Sequence, residues 1–405
     1  MRRCAESERG CVHERHRVSG AAQRAPLLAA GFTTAFGAHA VAGTLGTTTT
    51  GTAASLLTLG ALLAIYDGAE VILKPVFGTL ADRIGARTVL IAGLVIFAAA
   101  SASYAIADDP AWLWAGRFGQ GVGAAAFSPA ASALVALLTP AKAQGRAFGT
   151  YGSYKSLGYT LGPLLGGVIV ALGGLRSLFA VTAVLAAVVA VWAAGSVPPV
   201  RPKARQRQTL VDTLRRFSES SFVTPTLALA ATTAALSVGV GFLPVLGTQA
   251  GLSPVVTGAV VSVLALTTAI AQPLTGRALD AERITVTGGI TVGIVFTASG
   301  LALALLPGLA GLLCAAIVIG AGCGLITPLA FAMLARSTPQ NRLGQTMGAA
   351  EIGRECGDAA GPLAVASIAA VTSVPFGFAG LAIIVSLTGV ATAGFNRVRG
   401  RGERG

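Results

Sequence analysis

Two groups of charged residues stand inside apolar stretches. Asp67, Glu70 and Lys74 fall at i, i+3 and i+7, so on a helix they share one face. Glu351, Arg354, Glu355 and Asp358 share a face in the same way. Arg354 is within helical reach of Glu351 at i−3 and of Asp358 at i+4. Three carboxylates against one arginine leave excess negative charge, which a cation from elsewhere or a proton must neutralise. Such a group can relay protons or hold a cationic substrate; it can also be a set of ion pairs that ties helices together. Lys155 and Arg117 are further isolated cations, and His39 is either a proton carrier or a hydrogen-bonded packing residue. Tyr151, Tyr154 and Tyr159 follow the spacing of one helix and either line a cavity or pack.

Other chemistries find no support. The sequence has no phosphate-binding loop and no nucleophile–base pair at a recognisable spacing, so an enzyme and an ATP-driven pump are not expected. Cys4, Cys11, His13 and His16 cluster near the N-terminus, but their spacing matches no zinc pattern. Five cysteines make no disulfide framework. Neither metal nor cofactor is expected.

The elements that must position these residues follow from composition. Of 405 residues, 54% are hydrophobic and 11% charged, and the mean hydropathy is +0.74. A soluble chain carries about 25% charged residues. Apolar runs long enough to cross a bilayer as helix recur at about 26–47, 54–77, 87–107, 111–138, 145–172, 175–194, 223–248, 254–276, 284–306, 309–335, 343–371 and 375–395. A β-barrel, with its short alternating segments, is excluded. Asp67 and Lys155 then lie near mid-membrane. Lys74 lies nearer one end, within snorkelling reach of the headgroups.

The net charge of +13 does not indicate nucleic acid, because the basic residues recur in short segments between apolar runs. Arg83, Arg87, Lys142, Arg146, Arg277, Arg283, Arg336 and Arg342 fall on one side, with the basic tails and the Pro/Arg-rich segment 198–216. Asp108, Asp109 and Arg176 fall on the other. Both termini are therefore expected in the cytoplasm of a bacterial cell, in a multi-pass plasma-membrane protein. No cleavable signal peptide is expected. The organisation expected is a tail (1–25), a six-helix bundle (26–194), a linker (195–222) with an amphipathic piece at Leu210–Phe217, a second bundle (223–395) and a short tail (396–405).

The two bundles are related. Ser128-Pro129 and Thr139-Pro140 match Thr327-Pro328 and Thr338-Pro339, 199 positions on. Gly145, Gly149, Gly158, Gly162 and Pro163 match Gly344, Gly348, Gly357, Gly361 and Pro362 at the same offset, which also pairs Lys155 with Arg354. Pro75, Gly78 and Asp82 match Pro273, Gly276 and Asp280 at 198. Parallel six-span halves that bind substrate between them are a transporter architecture.

Three motifs carry a family resemblance. Gly78-Thr-Leu-Ala-Asp82-Arg83-Ile-Gly85-Ala-Arg87 resembles the signature loop of the major facilitator superfamily. Gly78 permits close helix approach, Gly85 a turn, and Asp82 can accept bonds from an arginine or a helix N-terminus. Such a loop can latch two halves in one state. The second copy, Gly276 to Asp280, keeps only the glycine and the aspartate. Arg117-Phe-Gly-Gln120-Gly121-Val-Gly123 is similar to a motif of proton-coupled members; a charge that far inside a span either faces a partner or a wet cavity or snorkels to the outer headgroups. Gly158-Tyr-Thr-Leu-Gly162-Pro163-Leu-Leu-Gly166-Gly167 resembles the antiporter signature of exporters. Its glycines lie four apart on one face, and Pro163 can bend the helix.

The resemblance implies an all-α membrane protein of twelve helices, which exports small amphiphilic or cationic compounds such as drugs in exchange for protons. In that reading Asp67, Glu70, Arg117, Glu355 and Asp358 couple protons, and Tyr151, Lys155, Glu351 and Arg354 line the substrate cavity. Gly78 to Arg87 gates, and the first half carries most of the gating. Small molecules, protons and the lipid bilayer are the partners expected of a monomer, and nucleic acid is not. Export or facilitated passage of a sugar, amino acid or metabolite is an alternative. A non-transporting membrane sensor or scaffold is another.

Overall fold

A computed structural model describes residues 23–42, 44, 53–106, 109, 111–200 and 218–402. The Cys/His group of the tail, Asp108 and the amphipathic piece of the linker lie outside these residues. Among them the chain is almost entirely helical, with no strand. The helices are α1 (Gln23–Ala42), α2 (Ala53–Ile84), α3 (Ala86–Ile106) and α4 (Ala111–Leu137). A continuous stretch, Gln144–Ser196, follows. Gly174, at φ 75° and ψ 178°, breaks it into α5 (144–173) and α6 (175–196). The second half holds α7 (Ser220–Gln249), α8 (Pro254–Asp280), α9 (Val286–Leu303), α10 (Gly308–Ser337), α11 (Leu343–Val371) and α12 (Val374–Gly402). Nine stretches among the described residues, with Gln144–Ser196 counted within one, are long and apolar enough to cross a membrane. α2 and α11 are as long, and they carry the charged clusters.

The repeat reaches backbone detail. α4 and α5 are joined by a single 3₁₀ turn, Ala141–Ala143; α10 and α11 are joined by Gln340–Arg342, 199 positions on. Pro140 (φ −55°, ψ 145°) and Pro339 (φ −58°, ψ 143°) open the two turns in one conformation, as a ring-fixed φ dictates.

The signature segment is not a loop. α2 continues through it to Ile84, and only Gly85, at φ 100°, makes the turn into α3. Asp82 therefore rides the last turn of a rigid helix, as Asp280 does at the end of α8. The outgoing ends of α2, α4, α8 and α10 and the starts of α5 and α11 converge on one face. Arg83, Arg87, Lys142, Arg146, Arg277, Arg283, Arg336 and Arg342 lie there and make it the basic face of the molecule.

Small residues decide which helices touch. At the basic face Gly78 packs on Gly344, and Gly145 on Gly276, through their backbones, so the two halves meet at α2–α11 and α5–α8. Further along, α5 turns its other glycines inward to its own half. A Cβ at Gly158, Gly162 or Gly166 would sit within 2.6 to 3.0 Å of α1 atoms at Phe32, Ala40 and Ala40. Gly357 and Gly361 of α11 pack in the same way on Ala230 and Ala234 of α7. The antiporter glycines thus seal a seam inside each half, and Gly167 has open space around it.

Candidate functional site

At the basic face two carboxylates close the gap between halves. Asp82 accepts from the backbone N–H groups of Gly344 (2.7 Å) and Gln345 (2.8 Å), at the start of α11. Asp280 accepts from Gly145 (2.9 Å) and Arg146 (2.7 Å), at the start of α5. Each acid answers the free donors and positive dipole of a helix N-terminus in the other half. Arg336 adds a bond to Ala141 O at 3.0 Å and lies 3.8 Å from Asp280. The second copy of the motif therefore latches as fully as the first. Its missing residues are not part of the contact: Arg83 is exposed, and Arg87 bonds Ala194 O within its own half at 2.6 Å.

One layer deeper lies a buried ion network. Lys74 Nζ is 2.7 Å from Glu70 Oε1, 2.7 Å from Glu355 Oε1 and 3.7 Å from Glu351 Oε2. Glu351 also receives Lys155 at 3.2 Å and Arg354 at 3.1 Å. Arg354 reaches Tyr159 Oη at 3.2 Å. Lys74 and Glu351 are both 0% exposed. The placement of Lys74 near the headgroups is thus corrected: three carboxylates, two from the opposite half, draw its ammonium to the centre. Arg354 pairs with Glu351, not Asp358. The cations that answer the α11 acids are Lys74 and Lys155. All of these charges but Glu355, whose side chain is 20% exposed, are buried, so each depends on its partners.

Beyond the network, away from the basic face, the acids make no ion pair among the described residues. Asp67 makes no hydrogen bond or ion pair among the described residues, and Asp358 is hydrogen-bonded to Ser237 with no ion pair among them. Asp67, Glu70, Glu355 and Asp358 line a cavity of about 40 Å³ with Lys155, Tyr159, Tyr66 and His39. That is room for water, not for a drug-sized ligand, which needs some 300–1,000 Å³. His39 Nδ1 bonds Ala35 O at 3.1 Å, and its ring meets Tyr159 edge-on. Tyr151 does not reach the cavity; its ring packs against Gly31.

Arg117 is 1% exposed and does not snorkel. Its guanidinium lies 4.3 Å from the ring centroid of Tyr66 and bonds Gln120 (3.2 Å) and Leu62 O (3.4 Å). Among the described residues no carboxylate pairs with it; Tyr66, against its guanidinium, lines the cavity.

The repeat exposes a relation that residue types concealed. Gln272 corresponds to Lys74 and Ser156 to Glu355, at the offsets of 198 and 199 that align Pro75 with Pro273 and Lys155 with Arg354. Gln272 Nε2 donates to Ser156 Oγ at 2.8 Å, between α8 and α5. The α5–α8 interface therefore holds a neutral copy of the Lys74–Glu355 contact. Aligning the halves across their polar positions was the signal that would have found it.

The sequence model of the Major Facilitator Superfamily matches residues 27–296 and 226–403. The chain belongs to the major facilitator superfamily. Among curated proteins it is similar to the methylenomycin A resistance protein of Bacillus subtilis (strain 168), 43% identical over 103 residues, 25% of this chain and 22% of that one. It is 33% identical over 153 residues to the multidrug resistance protein MdtH of Salmonella arizonae, 38% of each chain. To the quinolone resistance protein NorA of Staphylococcus aureus it is 29% identical over 109 residues, 27% of this chain and 28% of that one. The matched part thus spans about a quarter to two fifths of these relatives. Two solved structures share the fold over nearly all of both chains. The human organic anion transporter MFSD10 (TETRAN) has a TM-score of 0.76 at 17% identity, covering 92% of this chain and 99% of that one. FucP in the outward conformation has a TM-score of 0.72 at 12% identity, covering 91% and 98%. Superfamily membership makes this a multi-pass membrane protein and accounts for the paired halves.

Proposed function

We propose that this superfamily member is a secondary active transporter that exports small amphiphilic or cationic compounds in exchange for protons. The observation that carries the reading is the gradient of charge pairing along α2 and α11. Acids next to the latched basic face are paired with cations, whereas Asp67 and Asp358, further from it on a water-sized cavity, make no ion pair among the described residues. A carboxylate at mid-membrane without a partner is a proton site by physical default, because a proton is the cheapest way to neutralise it. The complete antiporter glycine pattern and the resistance proteins among the relatives favour export. In this reading the basic face is cytoplasmic, with both termini on that side of a bacterial plasma membrane, and the chain works as a monomer.

The test is reconstitution into proteoliposomes with an imposed pH gradient. Ethidium and tetraphenylphosphonium serve as probes, and internal pH is followed by a trapped dye. Probe movement against its own gradient, accompanied by proton counterflow, is expected. Probe movement indifferent to the pH gradient would remove proton coupling.

A further inference from the structure

A second cavity lies at the basic face, apart from the buried charges. It holds about 510 Å³, within the size range of small-molecule sites. Both halves wall it: the end of α4 and its turn, Ala136 to Ala141, on one side, and Ala335, Arg336, Thr338 and Gln340 on the other. Pro140, Ala141 and Gln340 are exposed, so it is reached from water. Two polar groups on its wall have capacity left. Gln144, 7% exposed, donates through Nε2 to Ala136 O at 3.4 Å, which leaves Oε1 an acceptor with no hydrogen-bond partner among the described residues. A buried acceptor in that position calls for a donor. Arg336 Nη2 donates to Ala141 O, but its 3.8 Å to Asp280 is too long for a hydrogen bond. Both oxygens of Asp280 already accept from backbone N–H groups of α5. The guanidinium thus keeps donors for an anion. Behind the wall Arg24 donates to Thr139 Oγ1 at 3.3 Å and adds positive potential. Leu137, Leu138 and Leu343 supply apolar surface. Packing demands neither polar group: the repeat puts Leu343 at the position of Gln144 and Leu137 at that of Arg336, 199 residues apart.

We propose that this cavity is a regulatory site for a small organic acid that carries a hydroxyl or N–H donor. Its carboxylate meets Arg336, its donor meets Gln144 Oε1, and its body lies on the leucines. Gln144 belongs to the first half and Arg336 to the second, so the two groups stand together only while the basic face is closed. A ligand that needs both binds the closed state alone and shifts the equilibrium toward it, in proportion to its concentration over its dissociation constant. The acid therefore acts as a brake on the conformational cycle from the basic side. The site goes beyond the transport reading: it rests on neither proton coupling nor the direction of transport, and its charge preference is opposite to that of the acid-lined cavity at the centre.

The test uses the full chain in nanodiscs and three probes: 4-hydroxybenzoate, benzoate without the donor, and 4-hydroxybenzyl alcohol without the charge. Titration calorimetry should show 4-hydroxybenzoate binding about tenfold more tightly than either of the others, the scale of one hydrogen bond to a buried group. Gln144→Leu should abolish the preference over benzoate, and Arg336→Leu the preference over the alcohol. Each variant installs the side chain that the other half carries at that position. Each preference compares two ligands on one protein, so a variant that closes less readily still reports it. No binding of 4-hydroxybenzoate at millimolar concentration, or preferences that survive both substitutions, overturns the site. The brake is read by double electron–electron resonance in the Asp82→Asn background, where closure is weakened. Native cysteines are replaced, and labels sit at Thr88→Cys and Thr287→Cys, exposed repeat counterparts at the starts of α3 and α9. With 4-hydroxybenzoate at ten times its dissociation constant, the ratio of short to long distances should rise about tenfold. An unchanged ratio, or a shift toward the long distance, overturns the regulatory role. Neither measurement needs cargo or a pH gradient, so failure here and failure of proton-coupled export are separately visible.

Discussion

Lys74 of the first half and Glu355 of the second lie 2.7 Å apart at the buried centre of the molecule, 281 residues distant in sequence. Directly beneath them, toward the basic face, Asp82 closes on α11. On the other side of the pseudo-symmetric interface, Gln272 with Ser156 and Asp280 with α5 repeat the arrangement. The gate is symmetric in shape and asymmetric in charge.

Symmetry of shape makes a first prediction. Asp82→Asn and Asp280→Asn should each weaken closure by about 1–2 kcal/mol, the scale of charge-assisted bonds to a helix N-terminus. Because the two latches lie at separate interfaces, the double variant should show roughly the sum. Solvent labelling of a cysteine at the start of α11 or α5 measures it. A silent Asp280 variant would favour the view that the first half carries most of the gating.

Asp67 and Glu351 should behave oppositely. Asp67 has no ion pair or hydrogen bond among the described residues, so Asp67→Asn should leave thermal stability unchanged or raise it, while transport loses its response to the pH gradient. Glu351 is fully buried against three cations. Glu351→Gln should cost about 3–5 kcal/mol, because truncating one member leaves the remaining charges uncompensated. Melting temperature in detergent, read beside proteoliposome flux, separates the two.

The glycine seam gives a graded series. Gly162→Val should disrupt the α1–α5 contact by about 1–3 kcal/mol of overpacking, since even its Cβ would meet Ala40 N at 3.0 Å. Gly167→Ala should be neutral, because nothing stands within 4 Å of its Cβ. Expression level and melting temperature report both, and equal effects would refute the seam.

Tyr66 tests the seat of Arg117. Its ring carries the guanidinium, while its buried hydroxyl has no hydrogen-bond partner. Tyr66→Phe should therefore be neutral or slightly stabilising. Tyr66→Leu should lose about 0.5–2 kcal/mol of cation–π attraction and packing. A Phe variant as damaged as the Leu variant would place the hydroxyl, not the ring, at the centre of the interaction.

The sequence by itself determined that the chain is membrane-embedded and helical, because apolar length and basic loops report directly on the bilayer. It also determined that the chain is doubled, because glycine and proline at close-packed or bent positions cannot be exchanged freely and so keep their register at 198–199 residues. Residues whose role is local were legible too: Gly85 at its turn, and Asp82 as an acceptor. Tertiary structure alone decided which charge meets which. Helical periodicity places Lys74 on a face, but the depth of its ammonium is set by carboxylates on α11, which no local pattern announces. The same holds for the arginine on Tyr66 and for Tyr151, which packing takes out of the cavity. Electrostatic partnership across an interface depends on three-dimensional distance at low dielectric. The second latch escaped for a related reason: a backbone N–H is a full partner for Asp280, and it leaves no trace in the residue types that surround it.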